Sequence, residues 1–359
     1  MFTLIIFLFI LSILIIVHEF GHFIMAQKMG VRVEKFSLGF GPHLFKKKDK
    51  ETEYIISAVP LGGYVKLAGD NLEEYQGNSY EYYAKPPGKR FWIIFFGPFL
   101  NYVLGFLCFW FIFLVGYPAL TAKVGGLLDG FGAKEAGIQV GDKIIAVDGK
   151  KVELWEDLQY IIQSKKAASA VQISILRDGK EYVLSVKIME KQLDDLLGQK
   201  RKVGLLGITP YEEFVKTRHC FKESFLLAVH KSWNLTELTA RALWRMLMLK
   251  LSIREATGPL GIFFITSKVA QQGIIAILNL IGLISLSLAI FNLLPLPVLD
   301  GGHILLLAIE KIRGKCLSIN VERIITQIGF TFIITLALIV TYNDFLRFFG
   351  DKLFKGFIR

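Results

Sequence analysis

Cysteine is scarce in this chain: Cys108, Cys220 and Cys316 are the only three among 359 residues. Three isolated cysteines form no disulfide framework, and none belongs to a C-x-x-C pair of the kind that holds structural zinc. Charge is also scarce, because Asp, Glu, Lys and Arg make up 20% of the residues while hydrophobic residues make up 53%. This composition excludes an ordinary soluble protein and indicates a multi-span membrane protein that carries a polar domain.

Acidic residues are fewer than basic ones, with 31 Asp and Glu against 42 Lys and Arg, and the formal net charge is +11. A basic excess also occurs in proteins that bind nucleic acid. Here many basic residues flank apolar segments, where they contact the cytoplasmic lipid surface and set the topology. We therefore expect the charge to face the lipid bilayer, and we expect no nucleic acid partner.

Charged residues are absent from residues 2–17, which lead directly into the sequence H-E-F-G-H at residues 18–22. The apolar run continues to Ala26 and is long enough to cross a bilayer as a helix. A signal peptide is the alternative, but the run has neither a basic start nor a small-residue cleavage site. The pattern predicts a first transmembrane span that contains two histidines and a glutamate.

The polar side chains of this span have the spacing of a metal site. His18 and His22 are four residues apart, so both imidazoles project from one face of a helix, as two neighbouring zinc ligands must. Glu19 lies where it can take a proton from a metal-bound water. A histidine pair satisfied by neighbouring helices is the alternative, but it gives the costly glutamate no use. We therefore predict one catalytic zinc ion inside the membrane.

A third protein ligand is expected near the other end of the chain. An apolar run from about Ile274 is interrupted by Pro295 and Pro297, and Asp300 and two glycines follow. Prolines free backbone groups, which a span tolerates only against protein or a polar cavity. Asp300, at the start of the resumed helix, can complete a His₂–carboxylate zinc site; a kinked helix that it merely caps is the alternative. We expect His303 to be a helix-buried histidine; a fourth polar group near the site is the alternative.

These two motifs, together with G-P-F-L-N at residues 97–101, resemble those of the site-2 proteases, a family of intramembrane zinc metalloproteases. The resemblance is nearest to the bacterial branch of the regulator of sigma-E protease, whose N-x-x-P-x-P-x-L-D-G motif matches residues 292–301. It implies zinc binding by His18, His22 and Asp300, activation of water by Glu19, and substrate binding by Asn292. Asn101 is expected to pack between helices rather than to take part in chemistry.

Residues 54–67 are predicted to form a β-hairpin with a Pro/Gly turn region. The resemblance implies that this hairpin dips into the membrane beside the zinc, where an edge strand could hold a locally unwound substrate by strand addition. A surface hairpin without a role is the alternative. The candidate substrate-binding residues are Gly62, Gly63, Tyr64 and Val65.

Residues 119–212 have mixed charge, alternating apolar residues and glycine turns, which predict a small soluble domain. Residues 136–149 resemble the signature of PDZ domains, and a helix at 154–163 and a hairpin turning at Asp178–Gly179 are predicted to follow. A peptide carboxylate could bind to backbone amides in a groove. The proposed groove residues are Leu205, Leu206, Gly207 and Ile208. The alternative is a structural spacer whose groove is unused.

The predicted fold is a membrane α-helical protein with four transmembrane helices, a membrane-associated β-hairpin and an inserted α+β PDZ domain. The predicted divisions are 1–118 (two spans, H-E-x-x-H and a cytoplasmic β-hairpin), 119–212 (PDZ-like), 213–273 (an extracytoplasmic amphipathic helix to about Leu251) and 274–359 (two spans with the L-D-G motif). Basic residues after the first span predict that residues 28–90 are cytoplasmic. Both termini and the PDZ domain would then be extracytoplasmic, in a bacterial inner membrane.

The hypothesis from the sequence is an intramembrane zinc endopeptidase that cuts a transmembrane segment of single-pass membrane proteins. By the resemblance, the substrate would be an anti-sigma factor already trimmed by another protease, with the PDZ domain sensing or excluding the untrimmed form. The alternative is a PDZ-bearing membrane receptor or scaffold with a structural zinc. A closed four-ligand site would favour the scaffold, and an open fourth position would favour the enzyme.

Overall fold

The computed structural model describes residues 2–165, 169–194, 200–248, 257–315 and 317–356. Cys316 and the predicted end of the amphipathic helix at Leu251 lie outside these residues. The chain divides into two compact units, which we call the membrane unit (1–112 and 223–359) and the inserted unit (113–222).

The helices, numbered along the chain, are α1 (Phe2–Lys28), α2 (Pro87–Val115), α3 (Gly132–Glu135), α4 (Trp155–Gln163), α5 (Phe221–Leu247), α6 (Pro259–Ala270), α7 (Ile274–Asn292), α8 (Asp300–Arg313) and α9 (Ile319–Gly356). Within the described residues, α1, α2, α7 and the first 31 residues of α9 are long and apolar enough to cross a membrane. The four predicted spans are therefore confirmed as helices of spanning length. The short helix α6 was not predicted, although Gly258-Pro259 is a common helix start because proline is favoured in the first turn.

The first two spans approach closely at glycines, where small side chains let helix backbones meet. A Cβ atom added to Gly21 of α1 would lie 2.2 Å from the carbonyl oxygen of Phe96 in α2. Farther along the same helices, Ile10 and Leu14 pack with Cys108 of α2 and with Leu280 and Ile281 of α7. The helices α1, α2 and α7 thus share one apolar core.

The strands of the membrane unit are β1 (Val33–Asp49) and β2 (Thr52–Leu67), which pair antiparallel. The turn lies at Lys50, whose φ of 52° is left-handed, so residues 54–67 form only the second strand of the hairpin. The predicted turn near Pro60 is wrong. The glycines there produce a bend instead, because Phe36 of β1 lies opposite both Val65 and Tyr54 of β2. The hairpin therefore curls back on itself.

The inserted unit is an α+β structure with the strands β3 (Tyr117–Leu120), β4 (Val124–Leu127), β5 (Lys143–Val147), β6 (Lys150–Lys151), β7 (Ala170–Arg177), β8 (Lys180–Lys187), β9 (Met189–Asp194), β10 (Lys200–Leu205), β11 (Ile208–Pro210) and β12 (Phe214–Thr217). A four-stranded sheet has the order β6-β5-β7-β8. The predicted helix is confirmed as α4, and the predicted turn joins β7 to β8.

The PDZ-like signature of this unit contains a buried ion pair. Asp142, whose side chain is 1% exposed, accepts hydrogen bonds of 2.7 and 2.6 Å from the guanidinium of Arg177. Burial by itself would raise the pKa of this carboxyl, but the bonds from Arg177 and from the Gln139 amide outweigh burial and lower it. The aspartate of the signature therefore has a structural role: it ties the loop before β5 to the end of β7.

The close contact at Gly21 gives a test of the helix packing. We expect Gly21→Ala to destabilise the membrane unit by about 1–3 kcal/mol, because the new methyl group would overlap a backbone carbonyl that cannot rotate away. The measurement is the midpoint of thermal unfolding of the purified protein in detergent. Gly88→Ala is the matched control, because no described atom lies within 4 Å of its added Cβ. Equal midpoints for the two variants would contradict the packing.

Candidate metal centre and active site

Two donor nitrogens lie together because α1 continues without a break through both histidines. The Nε2 atoms of His18 and His22 are 3.2 Å apart. Both side chains are largely buried, at 14% and 15% exposure. Helix periodicity therefore brings the two nitrogens to one point on the face of α1.

Asp300 reaches the same point from a distant part of the chain because α8 begins with it. Its two carboxylate oxygens lie 3.2 Å from His18 Nε2 and 3.6 Å from His22 Nε2. Residues 293–299 are not helical, and they fold over the first turn of α8. Added Cβ atoms would lie 2.3 Å from the Leu293 carbonyl at Gly301 and 2.1 Å from the Leu296 carbonyl at Gly302. The paired glycines are therefore needed for the approach of Asp300.

The backbone of this loop, residues 293–299, is strained at one residue. Val298 has a φ of 84°, which a β-branched residue rarely adopts and which costs about 1–3 kcal/mol. The surrounding bonds hold it, since the amide of Leu299 donates to the Leu296 carbonyl at 3.1 Å. Strain of this kind, two residues before a candidate ligand, is typical of a functional site.

The donor set fits a zinc ion in chemistry and in spacing. Ligand atoms at about 2.0–2.1 Å from a tetrahedral zinc lie roughly 3.3–3.4 Å from one another. One donor atom from each residue lies within 4.8 Å of the other two. The two Nε2 atoms are 3.2 Å apart, Asp300 Oδ2 is 3.2 Å from His18 Nε2, and Asp300 Oδ1 is 3.6 Å from His22 Nε2. Two imidazoles and one carboxylate are also the ligand types of catalytic zinc sites with an open fourth position.

The packing of α2 orients the second histidine. His22 Nδ1 donates a hydrogen bond of 2.9 Å to the carbonyl oxygen of Ile93. Because a carbonyl only accepts, Nδ1 holds the proton and Nε2 presents its lone pair to the metal position. Gly97 leaves room for this contact, since a Cβ there would lie 2.4 Å from His22 Nε2 and 3.0 Å from His18 Cε1. The glycine of the G-P-F-L-N motif is therefore part of the site.

Glu19 lies beside the metal position but outside the group of donor atoms. A Cβ on Gly63 would lie 3.3 Å from Glu19 Cγ, so β2 passes directly against the glutamate. The Glu19 carboxylate accepts a hydrogen bond from the backbone amide of Val65. The ring of Tyr64 stacks on Phe40, with 6.3 Å between centroids. The edge of β2 and the carboxylate therefore face the same space.

The remaining candidate residues occupy separate places. Gly62 lies at the bend of β2, where the Phe40 ring takes the space of a Cβ. Asn292 is the last residue of α7 and is half-buried, ahead of the non-helical loop. In the inserted unit, a groove of about 100 Å³ lies between α4 and residues 204–208. Its lining contains all four proposed groove residues: Leu205, Leu206, Gly207 and Ile208.

A cavity of about 320 Å³ opens beside the donor atoms, and sequence reasoning missed much of its lining. Glu19, His22 and Asp300 line it together with the predicted buried histidine, which is half-buried. Its other lining residues include an ion pair between Arg90 of α2 and Glu310 of α8. No local pattern in the sequence predicts this pair, because its members are 220 residues apart.

The cavity is polar away from the donor atoms as well. The Tyr83 hydroxyl donates one hydrogen bond that the two carboxylate oxygens of Glu322 in α9 share, at 2.9 and 3.1 Å. Burial raises the pKa of the Asp70 carboxyl, although the Leu67 amide and the Lys66 charge oppose the shift. A polar cavity of this kind gives water a place beside an otherwise apolar helix bundle.

Comparison with known proteins agrees with this chemistry. Residues 6–336 match the model of peptidase family M50. A protein of Campylobacter jejuni, provisionally named a zinc metalloprotease, is 33% identical over 95% of this chain and 93% of its own length. The regulator of sigma-E protease RseP of Escherichia coli is 28% identical over 95% of this chain and 98% of its own length. Among solved structures, the PDZ domain of an SdrC-like protein from Listeria monocytogenes matches with a TM-score of 0.21 and 23% identity, over 26% of this chain and 88% of that one.

The family match spans both helical segments that supply the donor atoms, and the relatives are matched over nearly their whole length. The resemblance drawn from the motifs is confirmed. The chain belongs to peptidase family M50, the site-2 proteases, and is a membrane zinc metalloprotease.

Proposed function

We propose that this protein is an intramembrane endopeptidase that holds one zinc ion between His18, His22 and Asp300 and cuts a transmembrane segment of single-pass membrane proteins. The observation that supports it most is the proximity of three donor atoms from α1 and α8, all within 4.8 Å of one another. These helices belong to an apolar bundle, in which isolated polar side chains are costly unless they are used.

Glu19 is the general base of this proposal. Zinc, when bound, supplies a Lewis acid that polarises a carbonyl and lowers the pKa of water. Glu19 takes a proton from the attacking water and later delivers it to the leaving amine. Its position beside the donor group, with the Val65 amide on its carboxylate, supports this role.

The substrate is a helix that must unwind before its peptide bonds become accessible. We assign the unwound segment to the edge of β2, at Gly62, Gly63, Tyr64 and Val65, by strand addition. The contact of Gly63 with Glu19 supports this assignment, because it puts an edge strand next to the base. The half-buried amide of Asn292 is proposed to bind the same segment from the other side.

The name of one relative supports a proposal for the substrate class. The name of the Escherichia coli relative associates that protein with sigma-E, and we propose a trimmed anti-sigma factor as the substrate here. The PDZ-like domain, residues 119–212, would select the trimmed form through its groove. The proposed location is the bacterial inner membrane, with both termini and this domain on the extracytoplasmic side.

A receptor or scaffold with a structural zinc has less support. Structural zinc is normally held by four protein ligands. Among the residues that the structure describes, the candidate metal cluster has three. A fourth position left for water and a general base beside it are features of an enzyme.

The first test separates the base from the ligands. We expect Glu19→Gln to lower the cleavage rate of a helical substrate by at least about a hundredfold while leaving zinc bound, because an amide cannot accept the proton. His18→Ala, His22→Ala and Asp300→Ala should instead lose the metal. The measurements are cleavage in detergent and zinc per protein by atomic emission. Full zinc in Asp300→Ala would remove this residue from the ligand set.

The second test concerns the groove of the inserted unit. We expect Leu205→Ala with Ile208→Ala to leave kcat/KM for a short, trimmed substrate unchanged and to reduce discrimination against an untrimmed one by about tenfold, as the loss of one apolar anchor does. Val183→Ala is the control, because this side chain is 64% exposed on β8, outside the groove lining. Equal losses on both substrates would mean that the unit supports folding instead.

The third test concerns topology. Cys220 is exposed and Cys108 is buried, so a membrane-impermeant maleimide should label Cys220 in cells whose outer membrane has been permeabilised. Cys316, which follows basic residues, should react only after lysis. Cys220→Ser is the control for the first signal. Labelling of Cys316 from outside would invert the proposed orientation of the C-terminal half.

A further inference from the structure

Two buried polar groups near the metal centre lack partners. His18 Nδ1 has no hydrogen-bond partner in the described part of the chain, and neither Oδ1 nor Nδ2 of Asn101 has one. Asn101 is fully buried, at 0% exposure. Leaving such groups unsatisfied destabilises the fold, so a buried amide without a partner near the site requires an explanation.

The antiparallel packing of α1 and α2 brings these groups toward each other. His22 contacts the Ile93 carbonyl, and the His18 ring comes within 3.0 Å of a Cβ on Gly97. Asn101 lies one turn beyond Gly97 on the same face of α2, and therefore one turn beyond the level of His18. Helical side chains lean toward the start of their own helix, so on antiparallel helices the His18 ring and the Asn101 amide lean toward each other.

The backbone of Asn101 is fixed there by a third helix. Ser285 of α7 donates a hydrogen bond of 2.7 Å to the Asn101 carbonyl oxygen, and Ser285 is itself fully buried. The side-chain amide is therefore held within the packed core of α1, α2 and α7. Ser285 bonds only to the backbone of Asn101, so the side-chain amide of Asn101 remains available for another role.

The chemistry of the two histidines explains what that role is. A histidine that binds metal through Nε2 presents an Nδ1–H donor, and this donor normally has an acceptor that fixes the tautomer and the ring. His22 has the Ile93 carbonyl. For His18, Asn101 supplies a buried amide acceptor one turn away on the facing helix.

We propose that Asn101 is the positioning residue of His18: with zinc bound, its Oδ1 accepts a hydrogen bond from Nδ1–H, directly or through one buried water, and fixes Nε2 toward the metal. This inference rests on the proposed ligand set. It differs from the packing role expected from the sequence, and it assigns the asparagine of the G-P-F-L-N motif to the metal centre.

The test is the zinc affinity of the metal-free protein in detergent, measured by competition with a chelator, and the visible spectrum of the cobalt-substituted protein. We expect Asn101→Leu to weaken zinc binding by about 10–100-fold, as loss of an outer partner of a ligating histidine does. Asn101→Asp keeps an acceptor at the same place and should bind zinc at least as tightly as the wild type, with a shifted cobalt spectrum.

Ser285→Ala is the matched control, because it removes the helix contact of the same residue but leaves its amide intact. It should keep wild-type zinc affinity. Asn101→Ala replaces the leucine variant if that one does not purify as a folded, monodisperse protein. Wild-type zinc affinity in Asn101→Leu, or in Asn101→Ala where that variant replaces it, would overturn the proposal. A loss of zinc affinity in Asn101→Asp and Ser285→Ala equal to that in the leucine variant would overturn it as well. His18→Ala tests the ligand set separately from the role of Asn101. If this variant keeps zinc, the proposed ligand set is wrong.

Discussion

The meeting of three donor atoms from two distant parts of the chain is the constraint on which the membrane unit depends. Helix periodicity alone provides the two nitrogens of α1. The carboxylate oxygen requires a broken helix, a strained valine, and close approach of backbones at Gly301 and Gly302. Gly97 serves the same purpose on α2. The helical segments that form the candidate site therefore meet at glycines. Only a residue without a side chain lets their backbones approach closely enough for the donor atoms to meet.

How far the sequence predicts this site depends on whether the signal is local. The spacing of His18 and His22 is local, and so is the proline–glycine break that puts Asp300 at a helix start. The hairpin turn was misplaced because proline and glycine mark bends and reversals alike. The reversal instead falls at Lys50, in a charged stretch without either residue. The partner of His22 could not be predicted at all, because the acceptor is a backbone carbonyl 71 residues away.

The segment proposed to bind substrate and the proposed general base meet at one strand edge. The amide of Val65 faces the Glu19 carboxylate, while the other edge of the same segment pairs with β1. An extended peptide added at that edge would meet the carboxylate as soon as it paired. The curl of the hairpin also matters, because Phe36 has β2 neighbours on both sides. The strand that faces the glutamate is thus supported by a sheet rather than by a two-stranded ribbon, which alone is marginally stable.

Helix α8 joins the metal centre to the ion pair between Arg90 and Glu310. Asp300 opens the helix, and Glu310 lies ten residues later, about 15 Å along its axis. A helix of this length moves as a rigid body, so a tilt at one end displaces the other. Any effect of metal binding on the tilt of α8 would therefore reach the ion pair, and the coupling free energy would have to be the same in both directions. A change of charge at the far end of α8 would then alter metal affinity by that same free energy.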